Sequence, residues 1–263
     1  MKTREVIEHI EAWLDQYADE AGSRGFVVGV SGGIDSAVTS ALAAETGRPT
    51  TLVTMPIHQP ADQVSRARRH IDALSTRADN VASVQVELTD VFDTFVSRLP
   101  DIENAEPDDD RHHLLLANAR ARLRMSTLYY VAARDGDLVV GTGNKVEDFG
   151  IGFFTKYGDG GVDLSPIADL DKTEVYAVGK ALGIDEEIMS AAPTDGLWSD
   201  GRTDEDQIGA SYPELEWAMK FTGSEEGLDE RERAVLEIYR GYRRQNRHKM
   251  VPIPVCEIPD AWR

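Results

Sequence analysis

Val27-Val28-Gly29-Val30-Ser31-Gly32-Gly33-Ile34-Asp35-Ser36 is the stretch on which the fold turns. Residues 26–30 form an apolar run that reads as a buried strand. The Ser31-Gly32-Gly33 turn follows, and Asp35 and Ser36 then open the run Ala37-Val38-Thr39-Ser40-Ala41-Leu42, which reads as a helix. Strand, glycine turn and helix N-terminus in that order make an anion cradle. Glycine lets backbone N–H groups approach phosphate oxygens, and the helix dipole favours negative charge there. The pattern is not the Walker one, which places Lys-Ser/Thr after four intervening residues. A ligand-free strand-to-helix turn has the same outline, so the rest of the chain must decide.

Outward from this turn, strands and helices alternate. Val6, Ile7, Ile10, Leu14 and Tyr17 recur at helical spacing and predict a helix over 3–18. The first crossover helix is expected over 36–46, a second strand over 50–55 ended by Pro56, and a charged helix over 61–74. A third strand is expected over 84–88, a helix over 91–99, an acidic loop over 100–113 and a long helix over 114–134. A fourth strand is expected over 138–141. The glycine-rich stretch 143–161 reads as irregular loop or a broken helix. A helix over 172–182 stops at Gly183, residues 195–206 read as a polar connection, and helices over 205–221 and 229–247 close the chain. This order predicts an α/β protein with a doubly wound, Rossmann-like parallel sheet and a helical C-terminal extension, in one domain over 1–263. Ligands in such sheets sit beyond the carboxyl ends of the strands. The loops after Val30, Met55 and Val140 are therefore expected to share one site.

The charge is −19, from 28 basic and 47 acidic residues, and only 7 of the basic ones are lysine. Such a balance argues against non-specific binding of nucleic acid or an anionic membrane. Acid-rich, lysine-poor composition also fits a high-salt cytoplasm, where screening relieves self-repulsion. Cys256 is the single cysteine, so an internal disulfide is impossible and a reducing compartment fits. The N-terminus has no signal-peptide pattern, and no apolar run approaches the roughly 20 residues of a membrane span. A soluble, cytoplasmic protein is the expectation.

The remaining chemistry lies after the fourth strand. Gly141-Thr142-Gly143-Asn144-Lys145-Val146-Glu147-Asp148 leads to Phe153-Phe154-Thr155-Lys156-Tyr157-Gly158-Asp159-Gly160-Gly161, then to Leu170-Asp171-Lys172. Carboxylates and lysines on a glycine-loosened loop suit ATP with Mg²⁺, which takes one or two carboxylates plus phosphate oxygens and water. Taken alone, the same residues also describe a solvated surface loop.

Ser-Gly-Gly-x-Asp-Ser resembles the pyrophosphate loop of the ATP pyrophosphatases, enzymes that cleave ATP between its α and β phosphates and have an adenine nucleotide α-hydrolase-like fold. With GTGNK-x-E, FFTKYGDGG, P-x-x-x-L-x-K and Asn118-Ala119-Arg120-Ala121-Arg122, the chain is similar over most of its length to the NAD synthetases. That resemblance implies amidation of deamido-NAD to NAD with ATP and ammonia, through an adenylated intermediate. It assigns Ser31, Gly32, Gly33, Asp35, Ser36, Thr142, Lys172 and Thr194 to ATP, and Asp35 and Glu147 to Mg²⁺. Arg122, Lys156, Asp159, His248 and Lys249 are assigned to deamido-NAD. Asp35, Lys172 and Asp159 are the implied catalytic residues, with Asp159 a candidate proton acceptor for ammonium. The stretch from Glu147 to Gly152-Phe153 is one residue longer than usual, which leaves Glu147 and Asp148 competing for the metal. The resemblance also implies a homodimer built on the long helix, and ammonia rather than glutamine as donor, because no glutaminase domain is expected. Another ligase of the ATP pyrophosphatase group, or a non-catalytic nucleotide-binding regulator, are the alternatives.

Overall fold

The computed structural model describes residues 1–100, 110–193 and 203–263. Among these, four strands form a parallel sheet: β1 (Phe26–Gly29), β2 (Thr50–Thr54), β3 (Val81–Gln85) and β4 (Leu138–Val140), in the order β3-β2-β1-β4. Phe26 lies opposite Thr50 on one side and Leu138 on the other. The chain winds outward from β1 to β3, then returns to lay β4 against the far side of β1. Strand order thus reverses between β1 and β4. The crevice beyond their carboxyl ends is where a doubly wound sheet binds ligands, and it receives the loops after Val30 and Val140.

Alternation along the strands sorts the core into two layers. Phe26, Val28, Leu52 and Val140 pack with Leu14, Val38, Leu42, Ile71 and Val178. These come from α1 (Thr3–Ala21), α2 (Ile34–Glu45), α3 (Ala61–Arg77) and, later in the chain, the helix Lys172–Leu182. Val27, Val53 and Val139 point the other way, to Phe92 and Val131, from α4 (Thr89–Val96) and α5 (Asp110–Asp135). Helix Lys172–Leu182, here α6, is followed by the short α7 (Glu186–Met189), then α8 (Asp204–Ile208), α9 (Tyr212–Lys220) and α10 (Glu230–Met250). A third apolar cluster joins Leu215, Val235 and Leu236 to Val146 and Ile151. The C-terminal extension is therefore clamped onto the loop leaving β4.

Several boundaries differ from expectation. The third strand ends at Gln85 and starts earlier, because its partner β2 stops at Thr54; the last bond runs from Val86 N to Thr54 O, 2.9 Å. The helix expected over 205–221 is two helices, separated at Gly209; Ser211 and Glu214 form a capping box that starts the second. The long helix begins at Asp110, inside the stretch expected to be loop. Residues 101–109, the acidic part of that stretch, lie outside the described residues. Within 143–161 the chain makes one π-helical turn, Lys145–Ile151, capped by Asn144, whose Oδ1 accepts from Val146 N and Glu147 N.

Candidate active site

The turn after β1 folds as its composition requires. Gly32 has φ +90°, and a Cβ there would stand 2.6 Å from Gln63 O; only glycine meets both conditions. Ser36 Oγ donates to Gly33 O (3.0 Å) and accepts from Ser31 N (3.2 Å), while Ser31 Oγ accepts from Gly33 N (3.3 Å). The two serines thus shape the loop around the N-terminus of α2, with Asp35 in its first turn.

Three chain segments converge on one ammonium. Lys172 Nζ donates to Asp35 Oδ2 (2.5 Å) and Glu147 Oε1 (2.9 Å), with only 2% of the lysine exposed. Its position is set by the first turn of α6, where Glu174 Oε2 accepts from Asp171 N (3.0 Å) and Glu174 N donates to Asp171 O (2.9 Å). Glu216 of α9 fixes the same turn by accepting from Thr173 N (2.9 Å) and Thr173 Oγ1 (2.8 Å). Asn144, fully buried, donates from Nδ2 to Asp35 Oδ1 (3.1 Å). Tyr212 Oη donates to Glu147 Oε1 (2.6 Å), and its ring lies 4.7 Å from Lys172 Nζ.

Burial alone would discharge Lys172; Asp35 and Glu147 outweigh it and hold the lysine protonated above its ordinary range. Burial raises Asp35, with Lys172 opposing and Glu147 adding to the rise. For Glu147 burial also pushes upward, but Lys172 and the hydrogen bond from Tyr212 prevail, and its carboxyl stays below the usual range. Asp148 points elsewhere. Its carboxylate lies over Gly143, where a Cβ would come within 2.0 Å of Oδ2. Burial, then Glu147, Asp159 and Asp35, push the Asp148 carboxyl well up. Of the two competing carboxylates, Glu147 is the one that shares Lys172 with Asp35.

A second patch is built around the loop after the π-helical turn. Lys156 Nζ donates to His248 O (2.7 Å), Arg122 Nε to Lys156 O (3.3 Å), and Lys249 Nζ to Gly152 O (2.9 Å) and Phe154 O (2.8 Å). Asp159 Oδ1 accepts from Thr155 N (2.9 Å), and Thr155 Oγ1 donates to Asn118 Oδ1 (2.6 Å). Arg122, Lys156, Asp159, His248 and Lys249 thus share one neighbourhood. Burial lowers Lys249 despite Asp159. Beside this patch lies a cleft of about 160 Å³, lined by Asp148, Phe149, Phe154, Ser165 and Lys249 among others.

The structure therefore gathers Ser31, Gly32, Gly33, Asp35, Ser36, Glu147 and Lys172 at one corner, with Thr142 two residues beyond the end of β4. Thr194 lies outside the described residues. Asn144, Glu216 and Tyr212 were not singled out by sequence. Asn144 stands inside GTGNK and could have been found as the natural cap of whatever follows. Tyr212 and Glu216 are 65 and 43 residues from their partners, and no local pattern announces them.

Among the described residues no group of three or more His, Cys, Asp or Glu side chains converges as a metal cage. Two carboxylates sharing one cation are what Mg²⁺ needs when phosphate oxygens supply the remaining ligands, so the donor set fits that ion. Nor is any described helix long and apolar enough to cross a membrane.

The chain is similar to known proteins over most of its length. The NAD synthase family model matches residues 6–251. An NH₃-dependent NAD⁺ synthetase of Carboxydothermus hydrogenoformans is 40% identical over 227 residues, 86% of this chain and 89% of the relative. In structure, the NMN synthetase of Francisella tularensis matches with a TM-score of 0.83 and 29% identity over 99% of both chains. An NH₃-dependent NAD synthetase of Campylobacter jejuni matches with a TM-score of 0.76 and 25% identity, over 98% of this chain and all of the other. This chain belongs to the NAD synthase family.

Proposed function

We propose that the protein amidates deamido-NAD to NAD, with ATP as co-substrate and ammonia as nitrogen donor, releasing AMP and pyrophosphate. The observation that carries this reading is the convergence of Asp35, Glu147 and Lys172 at the N-terminus of α2. The nicotinate carboxylate attacks the α-phosphorus of ATP, and pyrophosphate leaves. Backbone N–H groups of the Ser31–Ser36 turn receive the departing phosphates, and Lys172 offsets the developing charge. Asp35 and Glu147 would hold Mg²⁺, which neutralises the pyrophosphate when bound. One ammonium and two carboxylates sum to −1, so a divalent ion turns the corner net positive. Ammonia then attacks the adenylated carboxyl carbon and AMP departs. Asp159 is the candidate acceptor for the proton that ammonium loses. No side-chain nucleophile is needed; positioning and charge neutralisation do the work. Thr142 and Thr194 are assigned to ATP, and Arg122, Lys156, His248 and Lys249 to the dinucleotide.

Ammonia as donor is supported by the names of relatives that this chain matches over most of their length. A homodimer is supported by large apolar side chains left in solvent: Val91 and Phe95 of α4, and Leu114, Leu115 and Tyr130 of α5. The acid-rich composition supports a cytoplasmic enzyme that works in concentrated salt. The test is NAD and AMP formation from deamido-NAD, ATP and Mg²⁺, with ammonium or glutamine, at low and molar KCl. Stoichiometric NAD and AMP with ammonium alone, rising with KCl, is expected. AMP without NAD would redirect the adenylation to another acceptor.

A second reading changes the substrate and keeps the chemistry. The Francisella protein, named an NMN synthetase, matches end to end with a TM-score of 0.83. That favours nicotinic acid mononucleotide as an acceptor beside deamido-NAD. Comparing kcat/KM for the two acids decides between them.

A further inference from the structure

We propose that Tyr212 is a positioning residue for the metal-binding carboxylates, acting through Glu147. The proposal rests on the reading of Asp35 and Glu147 given above.

The geometry is specific. Tyr212 is 3% exposed and opens α9, far from the sheet in sequence. Its hydroxyl carries one proton and faces two carboxylates: Glu147 Oε1 at 2.6 Å and Asp204 Oδ2 at 3.3 Å. Two ionised carboxylates can only accept, so that proton serves one of them at a time, and the shorter distance gives it to Glu147. Glu147 Oε1 therefore receives two donors, Lys172 Nζ from one side and Tyr212 Oη from another. The backbone N–H of Glu147 is meanwhile held by Asn144. Both ends of the residue are fixed, leaving Oε2 as the oxygen that this pair of donors does not occupy.

A carboxylate held this way is pre-aimed. Without the hydroxyl, Lys172 alone would orient Glu147, and Lys172 is shared with Asp35. Groups that orient metal-binding side chains commonly change metal affinity or activity by about 10- to 100-fold when removed. The ring of Tyr212 contributes separately, through its contact with Lys172. Tyr212→Phe keeps that ring and deletes only the donor.

The experiment is calorimetric titration of Mn²⁺ into the ATP-saturated protein, a probe that needs neither deamido-NAD nor turnover. Mn²⁺ affinity is expected to fall about 10-fold or more in Tyr212→Phe, and kcat for AMP release to fall with little change in KM for deamido-NAD. In a Glu147→Gln background the same substitution is expected to alter affinity by less than about twofold, because its target is already gone. Asp204→Ala, which leaves the bond to Glu147 in place, is expected to stay within about twofold of the unaltered protein. Equal Mn²⁺ affinity in Tyr212→Phe and the unaltered protein overturns the proposal alone. Equal losses in Tyr212→Phe and Asp204→Ala also overturn it, by making the contact a matter of helix packing. A Tyr212→Phe protein that does not fold overturns it likewise, since the hydroxyl would then serve folding. Absence of Mn²⁺ binding in the unaltered protein overturns the metal reading, and this proposal with it.

Discussion

The two corners of the site are built by opposite rules. At the β1–β4 reversal, polar groups are buried or half-buried and answer one another: Lys172, Asp35, Glu147, Asn144 and Tyr212 form one connected network. In the neighbourhood of Lys156 and Asp159, side chains bond mostly to backbone. Lys156 and Lys249 donate to carbonyls, Asp159 accepts from an amide, and Tyr157, Asp159 and His248 remain exposed. The first corner is closed and costly to alter. The second is a scaffold whose chemistry still faces outward. Under the proposed function their difference implies a division of labour, in which cleavage of ATP is rigidly organised and recognition of the acid is completed by the substrate itself.

Breaking the first corner is expected to give the largest effect. Asp35→Ala removes one of two carboxylates yet leaves Lys172 paired with Glu147, so no buried charge is orphaned and the fold should survive. AMP release should fall by about 10³-fold or more, as when an essential charge-stabilising group is removed. Lys172→Ala, by contrast, leaves two carboxylates facing each other and should cost about 3–5 kcal/mol of stability as well. Activity assays with melting curves on both variants separate the two outcomes. A fully active Asp35→Ala protein would sink the metal assignment.

The layer beneath that corner has its own pH signature. His70 of α3 is buried against α2, its Nε2 2.8 Å from Ser40 Oγ. Burial, assisted by Arg77, lowers it to about 4 from an ordinary 6.5. The folded protein therefore prefers neutral His70. The associated stability is fully present above pH 6.5 and is lost as pH falls from 6.5 through 4. Between pH 7 and pH 5 the loss is about 2 kcal/mol. Urea midpoints at both values, for the unaltered protein and His70→Gln, measure it; a variant with the same pH slope would show that other groups carry the dependence.

How much of this was legible depended on sequence distance. The Ser31–Ser36 turn, β1 and the first turn of α2 are contiguous, so steric and dipole arguments fixed them from composition alone. β3 was misplaced by a few residues because a strand's end is set by its partner, and Thr54 is not in its own segment. The π-helical turn over Lys145–Ile151 has no local signature beyond Asn144 as a cap. Nor could local pattern separate Glu147 from Asp148; the distinction comes from Lys172, 25 residues on. Tyr212 was invisible for the same reason, since its meaning lies wholly in a contact across the fold. The break at Gly209 was missed because the flanking sequence has helical character on both sides.

The smallest effect is expected where the second corner is altered, and it bears most directly on the comparison. Asp159 is held by one amide, that of Thr155, and Thr155 is in turn tied to Asn118 of α5. It belongs to the outward-facing set, so Asp159→Ala should leave the Lys172 network untouched. The KM for deamido-NAD should rise about 10-fold, while KM for ATP stays within about twofold. A role as proton acceptor adds a further expectation: kcat should fall with ammonium at neutral pH and recover partly as pH rises and free ammonia becomes abundant. Equal losses for both substrates would mean that the corners are mechanically coupled through Asn144 and the π-helical turn, and the division of labour would not hold.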